Sequence, residues 1–237
     1  MKFWIKLWEP IFMKTMNLFG ARARTYAFTS AVFAFATIAS WQAHAVTKTL
    51  DFTVLRDGKT IGTHSYTISD QGDETLVEVS TDIQVKVLFI TAYKFHHTSK
   101  ELWRGGKLVS LTSTTNDDGT QKALQVTASP GKLDVDSIVH DQDRRQSADI
   151  NTQPASLWNP TIVHQHKILN TLDGTMMKIN VSDFGTEVVE AAGAQVSAHH
   201  YAISGELTRD VWFNDAGDLV RVRFPDKTNS EIIYALK

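Results

Sequence analysis

Val77-Glu78-Val79-Ser80-Thr81-Asp82-Ile83-Gln84-Val85-Lys86-Val87 is the stretch that decides the fold class. Val77, Val79, Ile83, Val85 and Val87 share one parity, and Glu78, Ser80, Asp82, Gln84 and Lys86 take the other. Successive side chains of a strand point to opposite faces, so this alternation reads as a β-strand with one face buried and one in water. The same period runs outward in both directions. Leu50, Phe52 and Val54 form a first strand, Asp57-Gly58 a hairpin turn, and Thr60 to Ser69 its return. Further turns fall at Asp70 to Asp73, Gly105-Gly106, Asn116 to Gly119, Pro130-Gly131, Asp173-Gly174, Asn214 to Gly217 and Pro225 to Asn229. The expectation is an all-β chain of about a dozen antiparallel strands in meander order.

The alternation breaks once, between Asp141 and Asn170. Asp141 to Gln153 is charged, with Ala148 and Ile150 its only apolar residues, and reads as a loop. Asn159 then suits a helix cap and Pro160 a first helical position, because proline lacks only a donor that the first turn leaves unused. Ile162, Val163, Ile168 and Leu169 would share one side of a short helix near residues 160–169. So many strands in a flat sheet would expose long edges and a wide apolar face. Curling the antiparallel meander into an open barrel or half-barrel removes both problems, with the helix at an opening. A β-sandwich is the alternative architecture that alternation alone does not separate from it.

Lys14, Arg22 and Arg24 precede an apolar run, Ala27 to Ile38, and Ala43-His44-Ala45 supplies the small residues of a signal-peptidase site. Residues 1–45 thus read as an export signal, with Met13 or Met16 as alternative starts, and residues 46–237 as a single β domain that is periplasmic or secreted. The alternative, an uncleaved span over Tyr26 to Val46, would carry Thr29, Ser30, Thr37, Ser40, Gln42 and His44 into the bilayer. With cleavage no stable membrane span remains. The whole chain has 24 basic and 26 acidic residues; residues 1–45 hold five and one of them, so the remainder has 19 against 25, a formal charge of −6. An acidic surface repels phosphate backbones and anionic lipid headgroups, which argues against nucleic acid as a partner and disfavours peripheral membrane binding by charge. The chain contains no cysteine, so its stability rests on a core that about 190 residues suffice to build.

Catalytic signatures are sparse. No Gly-x-Ser-x-Gly, HExxH or cysteine cluster occurs, and no cofactor motif is present. His96-His97 and His199-His200 are adjacent pairs on expected strands, so each pair splits between opposite faces and does not chelate together. No metal site or catalytic residue is assigned. One constellation stands out: Tyr93, Phe95, His97, Ser99, Glu101 and Trp103 occupy one parity of a long strand, with Lys94, His96, Thr98, Lys100 and Arg104 on the other. In a curled sheet this aromatic stripe points inward, joined by Gly62, His64 and Tyr66 from an earlier strand and by Trp158 at the helix entrance. Apolar walls with few polar groups are what a small-molecule pocket requires. The competing reading is plain core, with His97 and Glu101 hydrogen-bonded to one another or to backbone.

Several strings also carry a resemblance: Phe52-Thr53-Val54-Leu55-Arg56-Asp57-Gly58-Lys59-Thr60-Ile61-Gly62-Thr63-His64, Val85 through Tyr93, Glu101-Leu102-Trp103-Arg104-Gly105-Gly106, Thr115-Asn116-Asp117-Asp118-Gly119 and Trp158-Asn159-Pro160. Together they resemble an uncharacterised family of exported bacterial β proteins, the domain of unknown function 6134. The resemblance implies a cysteine at the position of Lys107 and another within Gln153 to Leu157 in relatives, pairing as a disulfide; both are absent here. It supports compartment and fold and brings no activity.

The function expected from these residues is non-catalytic binding or shuttling of an apolar small molecule or lipid. Tyr93, Phe95, Trp103 and Trp158 would form the wall, with Tyr66 beside them, and His64, His97 and Glu101 would orient the ligand. The alternatives are an envelope enzyme using Glu101 and His97 as acid and base, which requires both to be reachable from solvent, and a protein-interaction module presenting a sheet edge or the 141–153 segment. Oligomeric state is not encoded in these features.

Overall fold

The structure is a computed structural model that describes residues 46–237; the expected export signal, residues 1–45, lies outside the described residues. Its first arm is β1 Val46–Arg56, β2 Lys59–Gln71, β3 Glu74–Val87, β4 Ile90–Arg104, β5 Lys107–Asp117, β6 Thr120–Ser129, β7 Lys132–Val139 and β8 Gln142–Asp149. After β9 Gln153–Pro154 and a 3-10 turn at Pro160–His164 come β10 Lys167–Leu169, β11 Met176–Ala191, β12 Ala194–Gly205, β13 Arg209–Asn214, β14 Leu219–Pro225 and β15 Glu231–Leu236.

All fifteen strands form one sheet in the order β8-β7-β6-β5-β4-β3-β2-β1-β15-β14-β13-β12-β11-β10-β9. Each hairpin-linked strand lies beside its successor, and β1 joins the arms by pairing antiparallel with both β2 and β15. Only the short β9–β10 pair is parallel. The two edges, β8 and β9, are consecutive in the chain. A flat sheet would hold them about 65 Å apart at ~4.8 Å per strand. Yet the link from Asp149 to Gln153 reaches no further than about 15 Å. The sheet therefore curls until its edges approach, without closing.

One contiguous apolar cluster fills the concave side, drawing Phe52, Tyr66, Val77, Leu111, Leu124 and Val135 from the first arm and Ile168, Ile179, Val211 and Leu219 from the second. The turn after β10 ties the arms together. Ser113 donates to the Thr171 carbonyl at 2.6 Å, and Gln146 donates to the carbonyl of Gly174. Gly174 sits at φ +74, and a Cβ there would lie 2.9 Å from both Leu124 and Val135, so glycine is what lets this turn seat against β6 and β7. A smaller apolar cluster on the opposite face gathers Val189, Ala191, Ala198, Trp212 and Val220.

Two segments differ from the sequence expectation. The charged stretch 141–153 is not a loop: β8 occupies Gln142–Asp149 and pairs along its whole length with β7. It is an edge strand, and outward charge on an edge is what prevents further strand pairing. The helical element near 160–169 is a five-residue 3-10 turn. Asn159 caps it as expected, its side-chain oxygen accepting from the Thr161 amide at 3.0 Å. Residues Lys167–Leu169 then extend as β10 against β11, which buries both Ile168 and Leu169. A continued helix would bury a single stripe of so short a segment and would have to meet the cost of nucleation. Among the described residues no helix is long and apolar enough to cross a membrane.

Candidate functional site

Every odd-numbered residue of β4 from Tyr93 to Trp103 faces the concave side, as the alternation predicts, and every even one faces outward. Burial along this row is not uniform. His97, Ser99, Glu101 and Trp103 are buried, whereas Tyr93 and Phe95 are half-buried.

At the buried end Glu101 is 0% exposed. Its Oε2 accepts from Trp103 Nε1 at 2.8 Å and from Trp158 Nε1 at 2.9 Å, and its Oε1 has no hydrogen-bond partner. The two indoles meet edge to face at 5.5 Å. Burial pushes the Glu101 carboxyl up, and the indole donors pull it partly back. Trp158 is thereby tethered to the sheet just ahead of the Asn159 cap. Beside it, Tyr66 is buried and its hydroxyl donates to the Ser156 carbonyl, a second clamp on the same segment.

The two inward histidines are also sealed. His64 Nδ1 lies 2.7 Å from Thr81 Oγ1, and His97 Nδ1 lies 2.8 Å from Thr115 Oγ1. Burial lowers His64 to about 3, helped by the neighbouring His97, and lowers His97 to about 4, helped by His96. His96 points outward to Asp82 at 2.9 Å, so this adjacent pair does split between faces. His97 and Glu101 bond neither each other nor backbone. An acid–base pair needs a reactant within reach of both groups, and Glu101 and His97 lie in packed interior. His64, Tyr66, His97, Glu101 and Trp103 thus serve as core, and half-buried Trp158 as the strut over it.

The other end of the row is open. Phe95 stands opposite Ile83 and Tyr93 opposite Val85, and all four are half-buried. Tyr93 donates to Asp117 Oδ1 at 2.8 Å, and Lys122 reaches Asp117 Oδ2 at 3.3 Å. Burial and that carboxylate push the Tyr93 phenol above its ordinary range. From the other arm, Phe224 and Tyr234 pack edge to face at 5.8 Å, and the Arg209 guanidinium lies 3.6 Å over the Phe224 ring. Strand register sets Tyr234 level with Phe95, through the pairs Tyr234–Val54, Val54–Gly62, Gly62–Ile83 and Ile83–Phe95, and its ring also lies 4.9 Å from that of His64.

Arg209 is the residue that sequence reasoning missed. Nη1 donates to the Thr208 carbonyl at 2.7 Å, and burial lowers its pKa. The arginine ion pairs among the described residues are those of Arg56, Arg104, Arg145 and Arg223, so Arg209 has no carboxylate partner there. The signal was available: Arg209 shares parity with the buried Val211 and Phe213, and a cation on the apolar parity of a strand is an exception that asks for a reason.

Fold and site together define a curled antiparallel β protein whose concave face is buried over most of its length and half-exposed and aromatic at one end. Residues 52–237 match the family described as Domain of unknown function (DUF6134), and the chain belongs to that family. No curated protein matches it.

Proposed function

We propose that the mature chain is an exported, non-catalytic carrier that holds an apolar, lipid-like ligand against the open end of the concave face. The observation that carries this reading is the half-exposure of Ile83, Val85, Tyr93 and Phe95, an apolar and aromatic group on the inward side of a curled sheet. Arg209, unpaired and beside Tyr234 and Phe224, is the group that would receive an acidic head. The contact set is narrower than the row read from sequence, because His97, Ser99, Glu101 and Trp103 are buried.

The test is native mass spectrometry of protein purified from the envelope of its producing cells, together with titration by fluorescent fatty acids. A co-purifying lipid, and fatty-acid binding that weakens in Arg209→Gln more for an acid than for the matching alcohol, is the expected result. An empty protein that ignores the probes removes the carrier reading. N-terminal sequencing of the same material should begin near Val46.

A further inference from the structure

The β3–β4 hairpin turns through Leu88-Phe89. Other tight hairpins of this chain turn through Asp57-Gly58, Gly105-Gly106, Asp118-Gly119, Pro130-Gly131 and Ala192-Gly193. Each of those places a small or turn-favouring residue before a glycine, Ala192 among them at φ +52. Leu88 instead holds φ +57, a conformation disfavoured for a branched apolar side chain. Leu88 is 87% exposed, Phe89 99% and Ile90 73%, so three consecutive apolar side chains stand in solvent at one tip. Neither local backbone preference nor solvation accounts for this choice of residues.

Residues 46–237 are acidic as a whole, but the charges around the tip are one-sided in the other direction on its own strands. Between Ile83 and Ser99 the charged residues are Lys86 and Lys94 alone, the two histidines apart. The lysine ion pairs among the described residues are those of Lys48, Lys100, Lys122 and Lys132, so neither flanking lysine has one, nor does Lys59 on the adjoining β1–β2 tip. The nearby acids are engaged: Asp57 accepts from the Glu231 amide at 2.9 Å, Asp117 holds Tyr93 and Lys122, and Asp118 accepts from the Lys94 amide at 3.4 Å.

We propose that the β3–β4 tip docks into a lipid bilayer that contains anionic lipid. Leu88, Phe89 and Ile90 enter the boundary between headgroups and acyl chains, and Lys86 and Lys94 stay at the level of the phosphates. Apolar tip and unpaired cations match the two layers of that boundary in order. A symmetric contact with a second copy through the same tip would instead oppose the lysines of one copy to those of the other. The inference goes beyond the carrier reading and does not rest on it, though Val85 and Tyr93 do lie next along the inward row from this tip.

The test is flotation of the full purified protein with vesicles of phosphatidylcholine and phosphatidylglycerol, against vesicles of phosphatidylcholine alone. Wild type should float with the anionic vesicles. Phe89→Ser should bind them about tenfold or more weakly while melting normally, since its side chain touches nothing in the fold. Lys86→Gln with Lys94→Gln should remove the preference for anionic vesicles. Wild type that stays behind, or Phe89→Ser that floats as well as wild type, overturns the proposal. So does light scattering that shows a wild-type dimer which Phe89→Ser makes monomeric, because the tip would then be a self-association surface. A Phe89→Ser protein that loses flotation but keeps a co-purifying ligand separates docking from carriage.

Discussion

One strand has two ends that share residue types, parity and direction, yet they differ in what they can do. From His97 to Trp103 the inward row of β4 is sealed, because the 155–158 segment lies over it: Trp158 donates to Glu101, and the Ser156 carbonyl accepts from Tyr66 on β2. At Tyr93 and Phe95 the same row has Ile83 and Val85 on one side and Asp117 on the other, with no such segment among the described residues tied over it by hydrogen bonds, and it stays half-buried. A polar group at the sealed end is fixed and kept from solvent, while Tyr93 at the open end is bonded to Asp117 and still half-exposed. Parity sets the direction of a side chain; a distant segment of chain sets its depth.

The largest expected effects lie at the sealed end. Glu101→Leu leaves two indole N–H groups without an acceptor and should cost about 2–5 kcal/mol; Trp103→Ala should cost about 3–5 kcal/mol. Urea unfolding measures both. Losses no greater than that of Phe95→Ser would erase the distinction between the two ends.

Acid should break the same region next. His64 and His97 titrate near 3 and 4 in the fold against 6.5 when unexposed to it, so the unfolded chain binds their protons first. Their contribution is full above pH 6.5 and is lost as pH falls toward 4, by about 1.4 kcal/mol per pH unit for each histidine. Glu101 has the opposite sign. Its raised carboxyl keeps a proton that the unfolded chain releases, so its contribution fades as pH rises through the raised value. Urea midpoints at stepped pH should fall between pH 6.5 and 4, and less steeply in His97→Gln; equal stability at both limits contradicts the burial described.

At the open end the balance reverses. Phe95→Ser should cost only about 1–2 kcal/mol, since the ring is half-buried, but it should abolish binding of fluorescent fatty acid. Binding that survives Phe95→Ser and Tyr93→Ala would move the ligand elsewhere. The smallest effect is expected beyond this end, where Leu88→Asn relieves a left-handed φ and should add up to ~1 kcal/mol, read as a higher melting temperature. A lower melting temperature would mean that the Leu88 side chain contributes to the fold.

The sequence by itself determined most of the strands and their turns, the inward direction of the β4 row and the Asn159 cap, because each follows from steric rules acting over a few neighbouring residues. Segment 141–153 differs from the loop its composition suggests, because charge at an edge and charge in a loop look alike until a partner strand is known. Ile168 and Leu169 fitted a helical stripe equally well until β11 was there to pair with them. Burial of His64 and Glu101, the opening beside Tyr93 and the isolation of Arg209 were decided only in the tertiary structure. Each depends on which residues the curl brings across from the other arm, and no local pattern records that distance.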